Sequence, residues 1–131
     1  MKKIGKIKII DAEYSVYLYK DGEFKDLNDN AKDRNKRYLH PENELSGPID
    51  GYCDYMSKEI HVYADQYTNP SYFGNTIRHE ITHAFLYEIG NSNCDDEDYI
   101  DKISKWTPHI EKYFNNTKQL IELEAIKCSN T

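Results

Sequence analysis

The sequence predicts an α+β domain, and three observations carry that expectation. Alternating apolar residues fall in the first half, helical periodicity falls in the second, and 131 residues hold one modest core. The expected architecture is a single domain over 1–131, with a small twisted antiparallel or mixed sheet. That sheet, of about four strands, packs on one central helix and two C-terminal helices.

The elements follow in chain order. In "IKIIDAEYSVYLYKDGEF", Ile7, Ile9, Tyr14, Val16 and Leu18 alternate as on one face of two neighbouring strands ending at the Asp21-Gly22 turn. Residues 25–48 are polar, contain two prolines and have little periodicity, which predicts a long exposed loop insertion. In "IDGYCDYMSKEIHVYAD", two short runs flank Met56–Glu59, and Ile60, Val62 and Ala64 alternate with His61 and Tyr63, as in a second hairpin. Asn69-Pro70 supplies a cap and a first helical residue, and Gly90 a stop. Between them Phe73, Ile77, Ile81, Ala84 and Phe85 gather on a predicted core side, with Asn75, His79, His83 and Leu86 opposite. "SNCDDEDYIDKISKW" starts with acids and is expected to be a helix ending before Pro108. A last helix, roughly 109–127, carries Ile110, Tyr113, Phe114, Leu120, Ile121 and Leu123.

Charge and cysteine usage narrow the function. With 17 Lys and Arg against 23 Asp and Glu, the formal charge is -6, so the chain's field repels phosphate backbones and no nucleic-acid partner is expected. Three cysteines, Cys53, Cys94 and Cys128, lack the close spacing of a structural zinc site and suit a reducing cytoplasm. The opening "MKKIGKIKII" breaks its apolar residues with charge, so neither a signal segment nor a membrane span is expected there. The expected location is cytoplasmic, with no membrane partner.

The chemistry is concentrated in "TIRHEITHAFLYEIG". His79-Glu80-Ile81-Thr82-His83 is an H-E-x-x-H pattern. On a helix its two imidazoles stand about 6 Å apart at their roots and can share one zinc ion. Glu80, turned about 100° from His79, reaches water beside the ion and is placed as a general base. With five His and eleven Glu in the chain, composition alone yields about 0.016 such matches. A catalytic zinc takes a third protein ligand and keeps one position open. The extended motif with a third histidine fails, because Leu86 and Ile89 occupy the required positions. The following "EDYID" offers Glu97 as third metal ligand and Asp101 as hydrogen-bond acceptor for a ligand histidine. Asp101 itself, Asp95, Asp96, Asp98 and His109 remain alternative ligands.

H-E-x-x-H on one helix followed by E-x-x-x-D on the next resembles the glutamate-ligand branch of the zincin metallopeptidases. More narrowly, "GYCDYMSKEIHVY", "TIRHEITHAFLYEIG" and "DEDYID" look like small metallopeptidase-like proteins of bacterial phages and mobile elements. The resemblance covers roughly residues 50–106. It implies His79, His83 and Glu97 as ligands of one Zn2+, Glu80 as general base, and residues 60–65 as an edge strand beside the cleft, accepting a peptide or protein substrate. His61 and Tyr63 are then candidate residues of the substrate edge. Tyr63, Tyr99 and His109 are each candidate oxyanion donors by residue type, and Cys94 reads as a loop thiol. The expected function is zinc-dependent peptide hydrolysis. The alternative is a structural or catalytically silent metal site in a protein that acts by binding a host partner.

Overall fold

The computed structural model describes residues 1–38 and 47–129. Their order is β1 (Lys2–Ile9), β2 (Ala12–Tyr19), α1 (Phe24–Tyr38), β3 (Gly51–Asp54), β4 (Glu59–Tyr63), α2 (Pro70–Glu88) and α3 (Glu97–Ser129). The class is α+β. One mixed four-stranded sheet runs β1-β2-β4-β3, with β1 antiparallel to β2, β2 parallel to β4, and β3 antiparallel to β4. No helix among the described residues is long and apolar enough to cross a membrane.

The two faces of the sheet are covered by different helices. Ile9, Tyr14, Ile60 and Val62 form a buried cluster with Ala84 of α2. On the other face, β-strand alternation turns Tyr17, Tyr19, Tyr52, Glu59 and His61 towards α1, whose Leu27 and Ala31 are buried one turn apart. The first hairpin turns at Ile10-Asp11, since Ile9 pairs with Ala12, whereas Asp21-Gly22 leads out of β2 into α1.

The expected loop insertion over 25–48 is replaced by α1 as far as Tyr38; residues 39–46 lie outside the described residues. This helix docks through a short apolar face, Phe24, Leu27 and Ala31, and through polar groups that hydrophobic periodicity does not register. Asn28 donates to the Ile49 carbonyl at 3.1 Å and accepts from the Ile49 amide at 2.8 Å. Arg34 reaches Asp54 at 2.9 Å and Glu59 at 2.8 Å, tying α1 to β3 and β4. The two expected C-terminal helices are one, because α3 runs through Pro108. A proline removes one helical hydrogen bond without necessarily ending the helix, and α3 continues beyond it to Ser129.

His61 is a correction of position. It is 1% exposed on the α1 face, stacked between Tyr17 and Tyr52 at centroid distances of 4.6 and 4.4 Å. Its Nδ1 lies 2.8 Å from the Tyr19 hydroxyl and its Nε2 3.0 Å from Glu59. Strand β4 is internal, so residues 60–65 do not form the sheet edge; β3 does. Tyr63 packs edge-on against Phe24 at 5.1 Å and donates to Asp65 at 2.9 Å, on the same side of the sheet as His61.

Burial lowers the His61 pKa from 6.5 to about 4, against the pull of Glu59. A base lowered in the folded state contributes stability above pH 6.5 that is lost as the pH falls towards 4, amounting to about 3 kcal/mol in all. Glu80, raised from 4.5 to about 7, titrates in the opposite sense over an overlapping range. The measurement is therefore a difference. Between roughly pH 5 and 6.5, the unfolding free energy of metal-free His61→Gln is expected to rise with pH less steeply than wild type, by about 1 kcal/mol per pH unit on average. Parallel profiles would refute it.

Candidate metal centre

Local chemistry sets both helices of the centre. Asn69 caps α2 by accepting from the Ser71 amide at 2.8 Å, and Pro70 opens the first turn. At the other end, the Gly90 amide donates to Tyr87 and the Asn91 amide to Leu86, with Gly90 at φ 74, which closes α2 in a Schellman motif. Asp96 then caps α3, accepting from the Tyr99 amide at 3.1 Å. Glu97 and Asp98 occupy the first turn, where the helix dipole favours negative charge.

These turns bring three donors together. His79 Nε2 is 2.8 Å from Glu97 Oε2, His83 Nε2 is 3.0 Å from Glu97 Oε1, and the two Nε2 atoms are 3.1 Å apart. Donors held about 2.0–2.1 Å from one tetrahedral ion stand about 3.3 Å from each other, so the cluster has the dimensions of a slightly contracted zinc ligand set. Each ring is oriented through its other nitrogen. His79 Nδ1 donates to Asp101 at 2.9 Å, and His83 Nδ1 donates to the Cys94 carbonyl at 2.7 Å. Both Nε2 atoms are thereby directed at Glu97, as carboxylate and carbonyl partners direct metal-binding histidines elsewhere.

Glu80 stands apart from this set. It is 5% exposed, its Oε1 is 4.0 Å from His79 Nε2, and its buried Oε2 has no hydrogen-bond partner. Burial pushes its carboxyl up to about 7, although His83 and His79 pull it down. Hydrogen bonds from His79 and His83 hold the Glu97 carboxyl far below the usual range. Burial disfavours protonated His83, but the Glu97 hydrogen bond and the charges of Glu80 and Glu97 outweigh it and raise its pKa to about 9; His79 is raised by the same groups. Without a cation, protons hold the carboxylates and imidazoles together. An unpartnered buried oxygen and a compact N2O donor set fit a divalent cation of zinc's preference.

The helix presents these groups differently from the apolar pattern. Ile81 is 36% and Phe85 43% exposed, whereas Glu80, His83, Ala84 and Leu86 are buried. The predicted core side is thus rotated, and Glu80 lies against the sheet. Gly51 of β3 permits this approach. A Cβ there would meet the His61 carbonyl oxygen at 3.0 Å, Thr76 Cγ2 at 3.2 Å and Glu80 Cγ at 3.3 Å.

His79, Glu80, His83, Glu97 and Asp101 therefore come together, while His61 and Tyr63 do not join them. Asp96 is engaged as a cap, and His109 lies about three turns further along α3 on its exposed part. Among the described residues, no hydrogen bond links Tyr99 or His109 to the donors. Cys94 contributes its carbonyl, and its thiol is free. Tyr55 escapes a reading of the sequence. Its hydroxyl donates to Cys94 O at 2.9 Å and lies 3.1 Å from His83 Nδ1, and its ring stacks on Tyr87 at 4.4 Å. One turn tyrosine among twelve carries no spacing signal, and neither does a carbonyl.

A shallow hollow bounded by Asp50, Tyr63, Asp65 and Tyr72 opens at the N-terminal end of α2, about 10 Å or more from His79 along the helix. The donor set instead lies near the surface, with the Glu97 side chain 67% and that of Asp101 52% exposed. Compared with protein-family models, with curated proteins and with solved structures, the chain matches none.

Proposed function

We propose that this chain is a zinc-dependent metallopeptidase. The observation that carries the reading is the convergence of His79 Nε2, His83 Nε2 and Glu97 beside the buried Glu80 carboxylate, whose Oε1 lies 4.0 Å from His79 Nε2. His79, His83 and Glu97 would hold the ion, which supplies Lewis acidity towards water and a carbonyl when bound. Asp101 and the Cys94 carbonyl keep both Nδ1 atoms protonated and both Nε2 lone pairs directed inward. Glu80 accepts the proton of the attacking water at its carboxylate, whose Oε1 is the oxygen placed beside the donor set, and delivers it to the leaving amine. Its distance from the donor set leaves that oxygen for proton transfer rather than ligation. Strand β3, which packs on α2, is a sheet edge without a further strand among the described residues and would offer its backbone groups to an extended peptide, which supports a peptide substrate.

The test separates metal binding from proton transfer. Glu80→Gln is expected to retain one zinc per chain while cleavage of a peptide library falls at least about 100-fold. Undiminished cleavage by Glu80→Gln, or a zinc-loaded wild type that leaves the library intact, would overturn the reading.

A further inference from the structure

The far part of α3 has no covering element among the described residues. Its first turns pack on α2, with Ile100 and Ser104 buried, but every residue from 109 to 124 is exposed. One side of α3 from Trp106 onward is nevertheless apolar. Trp106, Ile110, Tyr113, Phe114, Leu120 and Ile121 are 59–68% exposed. At 100° per residue they share an arc of about 120°. Between Trp106 and Ile121 this arc contains no charged residue. With Thr117 bridging Tyr113 to Leu120 inside the same arc, the steps Trp106, Ile110, Tyr113, Thr117 and Leu120 are the threes and fours of a helix seam that packs against another helix.

We propose that this seam joins two copies of the chain through their α3 helices. Three features favour a second copy as the occupant. First, residues 105–124 balance Lys105, Lys112 and Lys118 against Glu111, Glu122 and Glu124, so the chain's -6 lies elsewhere and the seam can face itself without repulsion. Second, the six side chains expose on the order of 700–800 Å2, so pairing removes up to about 1,500 Å2, the size of a standard specific interface. Third, α3 continues unbroken through Pro108, which carries the seam away from its own sheet. A helix of this length without tertiary contacts is marginal in water, and a twofold pairing supplies the missing contacts. Glu97 and Asp101 lie about 140–180° around α3 from Ile110, so pairing leaves the candidate metal centre open. The inference does not depend on metal binding.

Sedimentation equilibrium of the full chain, from about 1 to 200 μM, tests it. The expected mass is twice 15.5 kDa. Emission of Trp106, the single tryptophan, should shift to the blue as concentration rises. Ile110→Glu combined with Leu120→Glu is expected to raise the dissociation constant roughly 100-fold or more and restore the mass of one chain, with zinc content unchanged. A wild type that keeps the mass of one chain throughout the range overturns the proposal, and so does a double variant that remains paired. The wild-type mass and emission decide the first point even where the variant fails to fold.

Discussion

Replacing His83 with alanine is expected to abolish stoichiometric zinc binding, weakening affinity by roughly 1,000-fold or more. The substitution removes one of three convergent donors, and it also leaves the Cys94 carbonyl and Tyr55 without the ring they position. Asp101→Ala, which only frees the His79 ring, should cost about 10–100-fold. Glu97→Gln should fall between the two, since an amide oxygen still reaches the site but carries no charge. Wild-type protein saturated to about 100 times its dissociation constant should gain about 2.7 kcal/mol of stability, a gain absent in His83→Ala. Because His79 and His83 bind protons more tightly than free imidazoles, zinc uptake should release protons and weaken as the pH falls. Calorimetry and elemental analysis check each step. Equal zinc content in wild type and His83→Ala would remove the assignment of the centre.

Gly51→Ala is expected to destabilise the chain by about 1–3 kcal/mol and, under the proposed function, to lower hydrolysis while leaving zinc stoichiometry intact. Its Cβ would press on the His61 carbonyl oxygen, on Thr76 and on Glu80 together. The carbonyl belongs to the β3–β4 ladder and cannot swing aside, so strain passes to α2. Glu80 sits at that contact, whereas the histidine rings are anchored from α3 and the 90–96 turn. Glu80 should therefore move further than the two histidines. Denaturant midpoints, zinc content and turnover on one preparation separate these effects. Wild-type stability and turnover in Gly51→Ala would show that strand and helix have slack there.

The legible parts of the chain were those with short-range chemistry. Asn69-Pro70 and Gly90 bounded α2 because caps and stops act locally, and the i, i+4 spacings of His79/His83 and Glu97/Asp101 placed each pair on one helix face. What the sequence withheld depends on distant partners. Helix α1 shows only a short apolar face, Phe24, Leu27 and Ala31, in a polar stretch, and Asn28 and Arg34 add ties to partners 20 or more residues away. Ile81 and Phe85 imitate a core stripe, but Glu80 takes the sheet-facing position beside Gly51. His61 alternates with Ile60 and Val62, so periodicity gives it the opposite face without revealing that a helix buries that face too. Pro108 reads as a break because proline's local effect is visible and the continuity of α3 is not.

The parallel pairing of β2 with β4 also governs how the molecule comes into being. Ser15 pairs with Glu59, 44 positions later, so the sheet closes only after a long loop entropy has been overcome. The β1–β2 hairpin can form early, but one side of β2 then stands open until β4 arrives. Such non-local closure places folding nearer milliseconds to seconds than microseconds. During that interval the open row from Ser15 to Tyr19 is the segment most exposed to pairing with a strand from another molecule, a hazard that ends when β4 docks.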